Sequence, residues 1–360
     1  MCWTWSKPPA RGYCGRYGAV TRGDCELQAL NTLHLRARAR GLQRVADLDT
    51  LRAALRSAGA LGLPVIPLGQ GSNVVLCEQL EALVLKLEMR GKTVLSEDSE
   101  QVCLRVAAGE DWHGLVVWCL DQGYYGLENL ALIPGTVGAA PIQNIGAYGR
   151  ELAPFVSAVH ALRCADGSEL LLSREDCEFG YRDSVFKHRL RDAVVITHLD
   201  LQLPRRDLPD CSYPGLQQQL VQQSGAGPAT ARAVFDAVVA LRRAKLPDPA
   251  REHNAGSFFK NPMVDRARAE QMRRDFPALP VYPVEGAAKL SAAWLIEQAG
   301  WKGVRRDGVG VHPGHALVLV NYGADDGDRL LQLARDIQSS VAARFAIELE
   351  IEPRVYGRME

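Results

Sequence analysis

A long segment that is rich in glycine and proline and nearly free of charge, residues 126–149, most limits what this chain can fold into. It contains five glycines, two prolines and four alanines, and Glu128 is its only carboxylate or amine. Helix and strand interiors disfavour so much Gly and Pro. Glycine lets a backbone approach a bulky group closely while its N–H groups act as donors. The segment therefore predicts main chain packed against a ligand such as a nucleotide diphosphate.

A second glycine-rich turn lies earlier in the chain. Residues 64–68 are typical of a short buried strand, residues 69–73 read Gly-Gln-Gly-Ser-Asn, and residues 74–76 begin another strand. The turn is not a G-x-G-x-x-G fingerprint, because Val74 stands where the third glycine belongs and no helix is predicted after it. Spacing alone leaves a plain turn and a ligand-binding loop both open, and favours the plain turn.

Composition limits the class of protein. The chain has 360 residues, enough for two or three domains, and its 47% hydrophobic and 23% charged residues are typical of a globular protein. The formal net charge is zero, and no basic stripe indicates nucleic acid or a membrane surface as a partner. No apolar run is long enough to cross a bilayer. Without a coiled-coil pattern, a monomer is the default expectation.

The cysteines and histidines give no metal or disulfide pattern. Nine cysteines, an odd number without a C-x-x-C pair, indicate a reducing cytoplasm rather than a disulfide framework. His312 and His315 lie close together, but a pair without a neighbouring acid or cysteine is a weak metal signal, and no metal is expected. The N-terminus lacks the apolar core of a secretory signal. We expect residues 1–27 to be a disordered extension.

Periodicity and turn residues predict a mixed α+β order rather than a regular βαβ ladder. One helix carries Leu48, Leu51 and Leu55 and stops at Gly59. The other predicted helices are residues 112–120, 230–245, 288–298 and 328–345. The predicted strands are residues 102–107, 156–163, 169–172, 194–203 and 316–321, with an alternating C-terminal stretch at residues 347–355. The proline-rich residues 204–214 are the best candidate for a linker.

Two polar residues stand in aromatic surroundings where chemistry is conceivable. Arg182 lies between Tyr181 and Asp183 and could bind a carboxylate or phosphate with its forked guanidinium, although the residues alone favour a local ion pair with Asp183. Ser257 precedes two phenylalanines and could donate a proton. Its surroundings are not a G-x-S-x-G elbow, and a turn serine is the simpler interpretation.

Three further candidates also have simpler interpretations. Glu350 lies on the polar side of the alternating stretch at 347–355, which is typical of a solvated edge. Lys245 ends a predicted helix, where a cation is stabilised by the helix dipole. Tyr213 lies in the linker and is by default a surface residue. The residue types alone do not decide between these interpretations and a functional role.

Taken in order, these motifs resemble the UDP-N-acetylenolpyruvoylglucosamine reductase family, and the Tyr213 loop resembles its type I form. The resemblance covers about residues 28–357 and rests on residues 31–32, 68–75, 126–149, 179–187, 245–249, 254–262, 294–297, 349–350 and Arg354. It implies a two-part FAD-binding domain of the vanillyl-alcohol oxidase type at residues 28–204, divided at about residue 76. A smaller α+β substrate-binding domain would follow at residues 212–350, with a tail at 351–360.

The resemblance also implies a set of site residues. Those that match the family's FAD-binding positions are Gly69, Gln70, Gly71, Ser72, Asn73, Pro134, Gly135, Thr136, Gly138, Ala139, Ala140, Ile142 and Gly146. Those that match its substrate-binding positions are Tyr181, Tyr213, Lys245 and Asn261. Those that match its three catalytic positions are Arg182, Ser257 and Glu350. Thr136, Ala139 and Ala140 replace more polar or sulfur-bearing residues of some relatives, which affects side-chain rather than backbone contacts to FAD.

The implied activity is reduction of UDP-N-acetylglucosamine enolpyruvate to UDP-N-acetylmuramate, with non-covalent FAD and with NADPH as hydride donor. Arg182 would stabilise negative charge on the substrate carboxylate, Glu350 would polarise that group while protonated or sharing a proton, and Ser257 would protonate carbon. A sugar or alcohol oxidase of the same fold is the alternative enzyme. Such oxidases often attach FAD through a histidine in the first glycine loop, and residues 69–73 contain none. A flavin-binding protein without catalysis is the third alternative.

Overall fold

The structure, a computed structural model, describes residues 21–224 and 229–357. The predicted disordered extension, residues 1–27, lies mostly outside these ranges. For the end of this extension the prediction of disorder is wrong, because Thr21–Glu26 form a strand. The α+β prediction is confirmed by the sheets and helices of the described residues.

The described residues form the following strands: β1 (Thr21–Glu26), β2 (Arg38–Val45), β3 (Val65–Leu68), β4 (Val74–Leu76), β5 (Gln79–Leu87), β6 (Lys92–Glu97), β7 (Gln101–Ala107), β8 (Gly146–Ala147), β9 (Arg150–Glu151), β10 (Val156–Arg163), β11 (Glu169–Ser173), β12 (Val194–Pro204), β13 (His253–Ser257), β14 (Met263–Asp265), β15 (Val281–Val284), β16 (Ala287–Leu290), β17 (Arg305–Arg306), β18 (Val309–Val311), β19 (Val318–Asn321) and β20 (Arg354–Tyr356). The α-helices are α1 (Leu48–Leu61), α2 (Trp112–Asp121), α3 (Pro214–Ser224), α4 (Ala231–Lys245), α5 (Arg266–Asp275), α6 (Ala292–Gln298) and α7 (Gly327–Phe345).

The first compact unit contains residues 21–25, 39–71 and 81–244 of the described chain. One of its sheets has the strand order β1-β2-β5-β3, a second has the order β11-β10-β12-β7-β6, and β8 and β9 form a two-stranded sheet. Strands β3 and β5 run parallel, with Leu68 opposite Lys86. The alternating buried residues of β7, β10 and β12 form one face of a core, as the period of two in these strands requires.

Helix α2 is the structural support of the glycine-rich segment that follows it. The Asp111 carboxylate caps its N-terminus by accepting a hydrogen bond from the Gly114 N–H at 2.7 Å. Trp112 is buried, and its indole N–H donates to the Leu130 carbonyl at 2.9 Å. The predicted helix at 112–120 is thus confirmed, one residue longer.

Helices α3 and α4 belong to the first unit and not to the second. Leu216 of α3 and Val234 and Val238 of α4 are fully buried in the core of the five-stranded sheet. The predicted boundary near residue 212 therefore differs from the grouping in the structure. Apolar burial decides this grouping, and a proline-rich connection does not.

The second unit contains residues 26–38, 72–80 and 245–357 of the described chain. Its sheets have the orders β13-β19-β18-β17, β14-β16-β15 and β20-β4. Helix α7 buries Leu330, Ile337 and Val341 in its core. Two segments that the sequence assigned to an FAD-binding domain, residues 28–38 and 72–80, lie in this unit.

Several predictions about local structure are wrong in part. The helix predicted to stop at Gly59 continues to Leu61 and ends at Gly62, which adopts the left-handed conformation of a C-cap. The predicted helix at 288–298 begins at Ala292, because Ser291 caps it by accepting from the Trp294 N–H, and β16 precedes it. The alternating stretch at 347–355 is a strand only at Arg354–Tyr356. That strand lies in the predicted tail, 351–360, and pairs in parallel with β4. The apolar residues Ile347 and Leu349 alternate with polar ones because their side chains are buried, although these residues do not belong to a β-strand.

No helix in the described ranges is long and apolar enough to span a membrane. Within the same residues, no group of three or more His, Cys, Asp or Glu side chains could hold a metal ion.

Candidate active site

In the first unit, the two glycine-rich segments are in direct contact. A Cβ on Gly69 would lie 2.4 Å from Oγ1 of Thr136, so any other residue there would require the Thr136 side chain to shift. The Gln70 amide joins the segments: its Nε2 donates to Asp111 Oδ1 at 2.5 Å, and its Oε1 accepts from the Gly135 N–H at 3.0 Å. Because Asp111 also caps α2, one carboxylate holds both loops against one helix end.

In residues 126–149, most of the backbone N–H groups around Gly135–Ala139 donate hydrogen bonds to other groups of the protein. The N–H groups of Gly135, Val137, Gly138 and Ala139 donate to the Gln70 side chain and to the carbonyls of residues 110, 108 and 136. Among the described residues, the N–H groups of Gln70 and Thr136 have no protein acceptor. The sequence predicted that many N–H groups of this segment face a ligand, but few are available to do so. The N–H groups of Gln70 and Thr136 lie where the two glycine-rich segments touch.

The rest of the segment is a tightly packed turn. Residues Val137–Gln143 form a 3-10 helix that ends at Asn144 in a left-handed conformation. A Cβ on Gly138 would lie 2.5 Å from the Cβ of Ala108. Ala140 is buried, whereas Ala139 is exposed. The Ile142 carbonyl accepts from the Ser184 hydroxyl at 2.6 Å. The packing explains the small residues, since larger ones would collide with strand β7 and its neighbours.

Arg182 sits beside the end of this segment. Its backbone is left-handed, with φ +53°, which is rare for a residue other than glycine. Its Nη2 donates to the Gly146 carbonyl at 2.6 Å, and the guanidinium lies 5.5 Å from the centre of the Tyr181 ring. The Asp183 carboxylate lies 2.8 Å from His188 Nε2. The strained turn thus aims the guanidinium at the backbone of the glycine-rich segment.

Sequence reasoning missed Arg242, which lies close to Arg182 and Tyr148. Burial lowers its pKa; the nearby Tyr148 raises that pKa and the positive charge of Arg182 lowers it. Its Nε donates to the Leu132 carbonyl at 3.2 Å, and no carboxylate of the described chain pairs with it. The sequence showed it only as one of several cations at the end of a helix.

Tyr213 also belongs to this group. Its ring meets that of Tyr148 edge-on at 5.4 Å, and its carbonyl accepts from the first turn of α3. The loop before it is tied to the glycine-rich segment, because Asn129 Nδ2 donates to the carbonyls of Tyr148 and Asp210 at 2.9 and 3.0 Å. Two arginines and three tyrosines therefore gather in the first unit, and this cationic, aromatic group suits an anionic ligand.

Ser257 lies in the second unit, at an irregularity of β13. The register of β13 against β19 shifts between Asn254 and Ser257, and Gly256 between them has φ +71°. The buried Asn254 stabilises this bulge by accepting from the Gly256 N–H at 2.8 Å. A bulge turns the next side chain away from its regular direction. Ser257 is half-buried just before the fully buried Phe258, so it is held more firmly than a surface turn serine.

Glu350 lies in the same unit and makes an ion pair with Lys260. The Lys260 Nζ contacts Glu350 Oε1, and the Lys260 N–H donates to the Glu350 carbonyl at 2.9 Å. The Glu350 side chain is 67% exposed and that of Lys260 only 12%. Glu350 therefore accepts from the ammonium of Lys260. The resemblance implied a Glu350 that is protonated or shares a proton, and it did not predict this ion pair.

The remaining predicted residues have separate surroundings. Lys245 is exposed at the end of α4 and close to His315, whose pKa is lowered by burial and by the charges of His312, Lys245 and Lys302. Asn261 Oδ1 accepts from the Ala292 N–H at 3.0 Å, which leaves its amide nitrogen for other partners. Of the charged groups near His315, Lys302 is paired with Glu297 at 2.9 Å.

Comparison with known proteins agrees with both units. Residues 39–173 match the family model described as an FAD binding domain. Residues 248–356 match that of the C-terminal domain of UDP-N-acetylenolpyruvoylglucosamine reductase. The reductase of that name from Pseudomonas aeruginosa is 46% identical over 333 residues, 92% of this chain and 98% of its own. The one from Paraburkholderia phytofirmans is 47% identical over 329 residues, 91% of this chain and 95% of its own.

Solved structures agree on the fold. UDP-N-acetylenolpyruvylglucosamine reductase from Thermus caldophilus matches with a TM-score of 0.65 at 24% identity, over 94% of this chain and 100% of that one. 6-Hydroxy-D-nicotine oxidase from Arthrobacter nicotinovorans matches with a TM-score of 0.52 at 15% identity, over 92% of this chain and 86% of that one. At these identities the likeness shows the fold alone, so an oxidase fold is no sign of oxidase chemistry.

Proposed function

The chain belongs to the UDP-N-acetylenolpyruvoylglucosamine reductase family, and we propose that Arg182, Ser257 and Glu350 carry out the reaction of that family in it. The enzyme reduces UDP-N-acetylglucosamine enolpyruvate with FAD and NADPH in peptidoglycan precursor synthesis. The observation that carries this conclusion is 46–47% identity over more than nine-tenths of the chain, together with a matching C-terminal domain. The oxidase alternative has only a shared fold to support it.

We propose that the contact between the two glycine-rich segments holds the FAD diphosphate. The N–H groups of Gln70 and Thr136, which have no acceptor among the described residues, support this, because oriented backbone donors bind anions well. The other predicted FAD-binding residues of these segments would supply close backbone surface. Bound FAD would supply the hydride transfer from NADPH to the substrate.

Arg182 is proposed to stabilise the negative charge that develops on the substrate carboxylate as hydride adds to the neighbouring double bond. Its guanidinium is already oriented by the Gly146 carbonyl, so little reorganisation is needed. Arg242 is proposed to assist, since a second, partly buried guanidinium without a carboxylate partner among the described residues attracts the same anion. Tyr181 and Tyr213 would line the site of the substrate carboxylate beside these two arginines.

Ser257 is proposed to donate its hydroxyl proton to the carbon next to the carboxylate. The bulge at Gly256 supports this role, because it fixes the direction of a side chain that would otherwise follow the strand. Glu350 is proposed to act together with Lys260, whose ammonium it already contacts. Lys245, with the basic residues near it, and Asn261 are proposed to bind the diphosphate and sugar of the substrate.

The experiment that tests the function uses the purified full-length chain. A yellow flavin spectrum is expected, followed by anaerobic NADPH oxidation that depends on UDP-N-acetylglucosamine enolpyruvate. Turnover of a sugar or alcohol with oxygen, but not of the enolpyruvyl sugar, would instead establish the oxidase. A protein that holds flavin and turns over neither substrate would establish the non-catalytic alternative.

Two further properties are proposed, the location and the oligomeric state of the protein. The free thiols of Cys25, Cys77, Cys119 and Cys177 are all buried, which is compatible with a reducing cytoplasm as the location. A monomer is proposed as the working state, and sedimentation of the purified protein measures it.

A further inference from the structure

Lys86 places a positive charge directly beneath the first glycine-rich turn. It lies on β5 opposite Leu68, the last residue of β3 before that turn. Its Nζ donates a hydrogen bond to the Gly69 carbonyl. Neither family motif nor charge pattern in the sequence distinguishes this lysine, because only the parallel register of β3 and β5 brings it under the turn.

The surroundings of Lys86 disfavour an ammonium unless something compensates it. Its pKa is lowered to about 8, chiefly by burial; the carboxylate of Glu88 opposes this shift, and the positive charges of Arg44 and Arg90 add to it. Glu88 is itself paired with Arg44. A cation in such a position is stabilised chiefly by the Gly69 carbonyl dipole and by any anion near it.

The geometry of the peptide links Lys86 to the opposite side of the turn. In a trans peptide the carbonyl of one residue and the N–H of the next point in opposite directions. The chain has no cis peptide among its described residues. Because the Gly69 carbonyl points to Lys86, the Gln70 N–H points away from it, and that N–H has no acceptor in the described chain. A cation on the carbonyl polarises the peptide and makes the N–H a stronger donor.

We propose that Lys86 is a positioning residue for FAD: it orients and polarises the peptide between Gly69 and Gln70 so that its N–H binds the FAD diphosphate. The inference rests on the proposed placement of the diphosphate at this turn. Lys86 is thus a cation next to the Gly69–Gln70 peptide, whereas the two glycine-rich segments themselves contain almost no charged side chains. The diphosphate in turn favours the protonated form of Lys86.

The sign of the pH dependence follows from this coupling. If bound FAD raises the pKa of Lys86 from about 8, FAD binding takes up a proton above that pH. The affinity of the wild-type protein for FAD should therefore be constant below about pH 7.5 and fall above pH 8, by up to about tenfold per pH unit. This measurement needs no variant, and a wild-type affinity that stays constant from pH 7 to pH 9.5 would overturn the proposal.

The variant test compares two flavins on flavin-free, full-length protein. Lys86→Met keeps an unbranched side chain one atom shorter and removes its charge, Lys86→Arg keeps a charge, and Lys289→Met is the control for loss of a lysine elsewhere. We expect Lys86→Met to weaken FAD binding at pH 7 by about tenfold or more, to change riboflavin binding less than about twofold, and to lose the pH dependence. Partial rescue is expected in Lys86→Arg, and no effect in Lys289→Met.

Two results of the variant test would also overturn the proposal: unchanged FAD affinity in Lys86→Met, or an equal loss for FAD and riboflavin, which lacks the diphosphate. The placement of FAD is tested separately by hydrogen exchange of the wild-type protein. FAD should protect the amides of residues 69–73. Without that protection the proposed placement itself is wrong, whereas protection combined with an unaffected Lys86→Met variant rejects only the role of Lys86.

Discussion

Replacement of Gln70 by leucine tests how the two glycine-rich segments are held together. Leucine has a similar volume but removes both hydrogen bonds of the amide. One of these is a bond to the Asp111 carboxylate, for which a typical value is about 1.5–3 kcal/mol. The other leaves the Gly135 N–H without an acceptor, a loss of about 1–3 kcal/mol when buried. Both bonds are only partly buried, so we expect a decrease of about 2–3 kcal/mol in the free energy of unfolding.

The loss of register between the loops should also reach the cofactor. The N–H groups of Gln70 and Thr136 lie on the two segments that this side chain connects, so we expect Gln70→Leu to weaken FAD binding by about tenfold. Urea denaturation of the flavin-free protein measures the stability, and quenching of flavin fluorescence measures the affinity. Gln202→Leu is the control, because its amide bonds only to the exposed Gln101 and should lower stability by less than about 0.5 kcal/mol.

Gln70→Glu separates the two bonds. The carboxylate still accepts from the Gly135 N–H but stands against Asp111, where two like charges repel. Its stability relative to wild type should therefore recover as the pH falls towards about 4 and one carboxylate is protonated. The reasoning is refuted if Gln70→Leu is no less stable than Gln202→Leu, or if it binds FAD as tightly as the wild type.

Ser257→Ala should still allow NADPH to reduce the bound flavin but lower steady-state turnover by several orders of magnitude, because the proton donor is lost; near wild-type turnover in stopped-flow and steady-state assays would reject that role. Arg242→Met should raise the KM for the enolpyruvyl substrate by about tenfold or more, while the same change at its exposed neighbour Arg243 should leave it unaltered; equal effects would contradict a specific role. For Asp200, burial raises the pKa, but the hydrogen bonds from Arg105 and His160 outweigh burial and lower it overall. The ionised Asp200 carboxylate therefore stabilises the fold above about pH 4, and this effect is lost as the pH falls through the pKa of Asp200 in the folded protein. The difference in stability between wild type and Asp200→Asn, measured by urea denaturation, should shrink from pH 6 to pH 3 and not widen.

The sequence by itself determined the local features and the family. Glycine and proline content marked residues 69–73 and 126–149, and apolar periodicity gave α2, β10 and α7 nearly to the residue. These features depend on neighbours a few positions apart, which a single sequence contains. Where a local cap overrides periodicity, as at Ser291, the sequence pattern alone placed the helix start too early.

Only the tertiary structure decided which distant groups meet. Arg242 comes near Arg182 across sixty positions, Gln70 connects Gly135 to Asp111, and Lys86 lies beneath Gly69 because β3 and β5 pair in one particular register. The assignment of α3 and α4 to the first unit likewise depends on which core buries Leu216 and Val234. Strand register, packing and burial set the charge state and partners of such groups, and none of these quantities is a property of a short stretch of sequence.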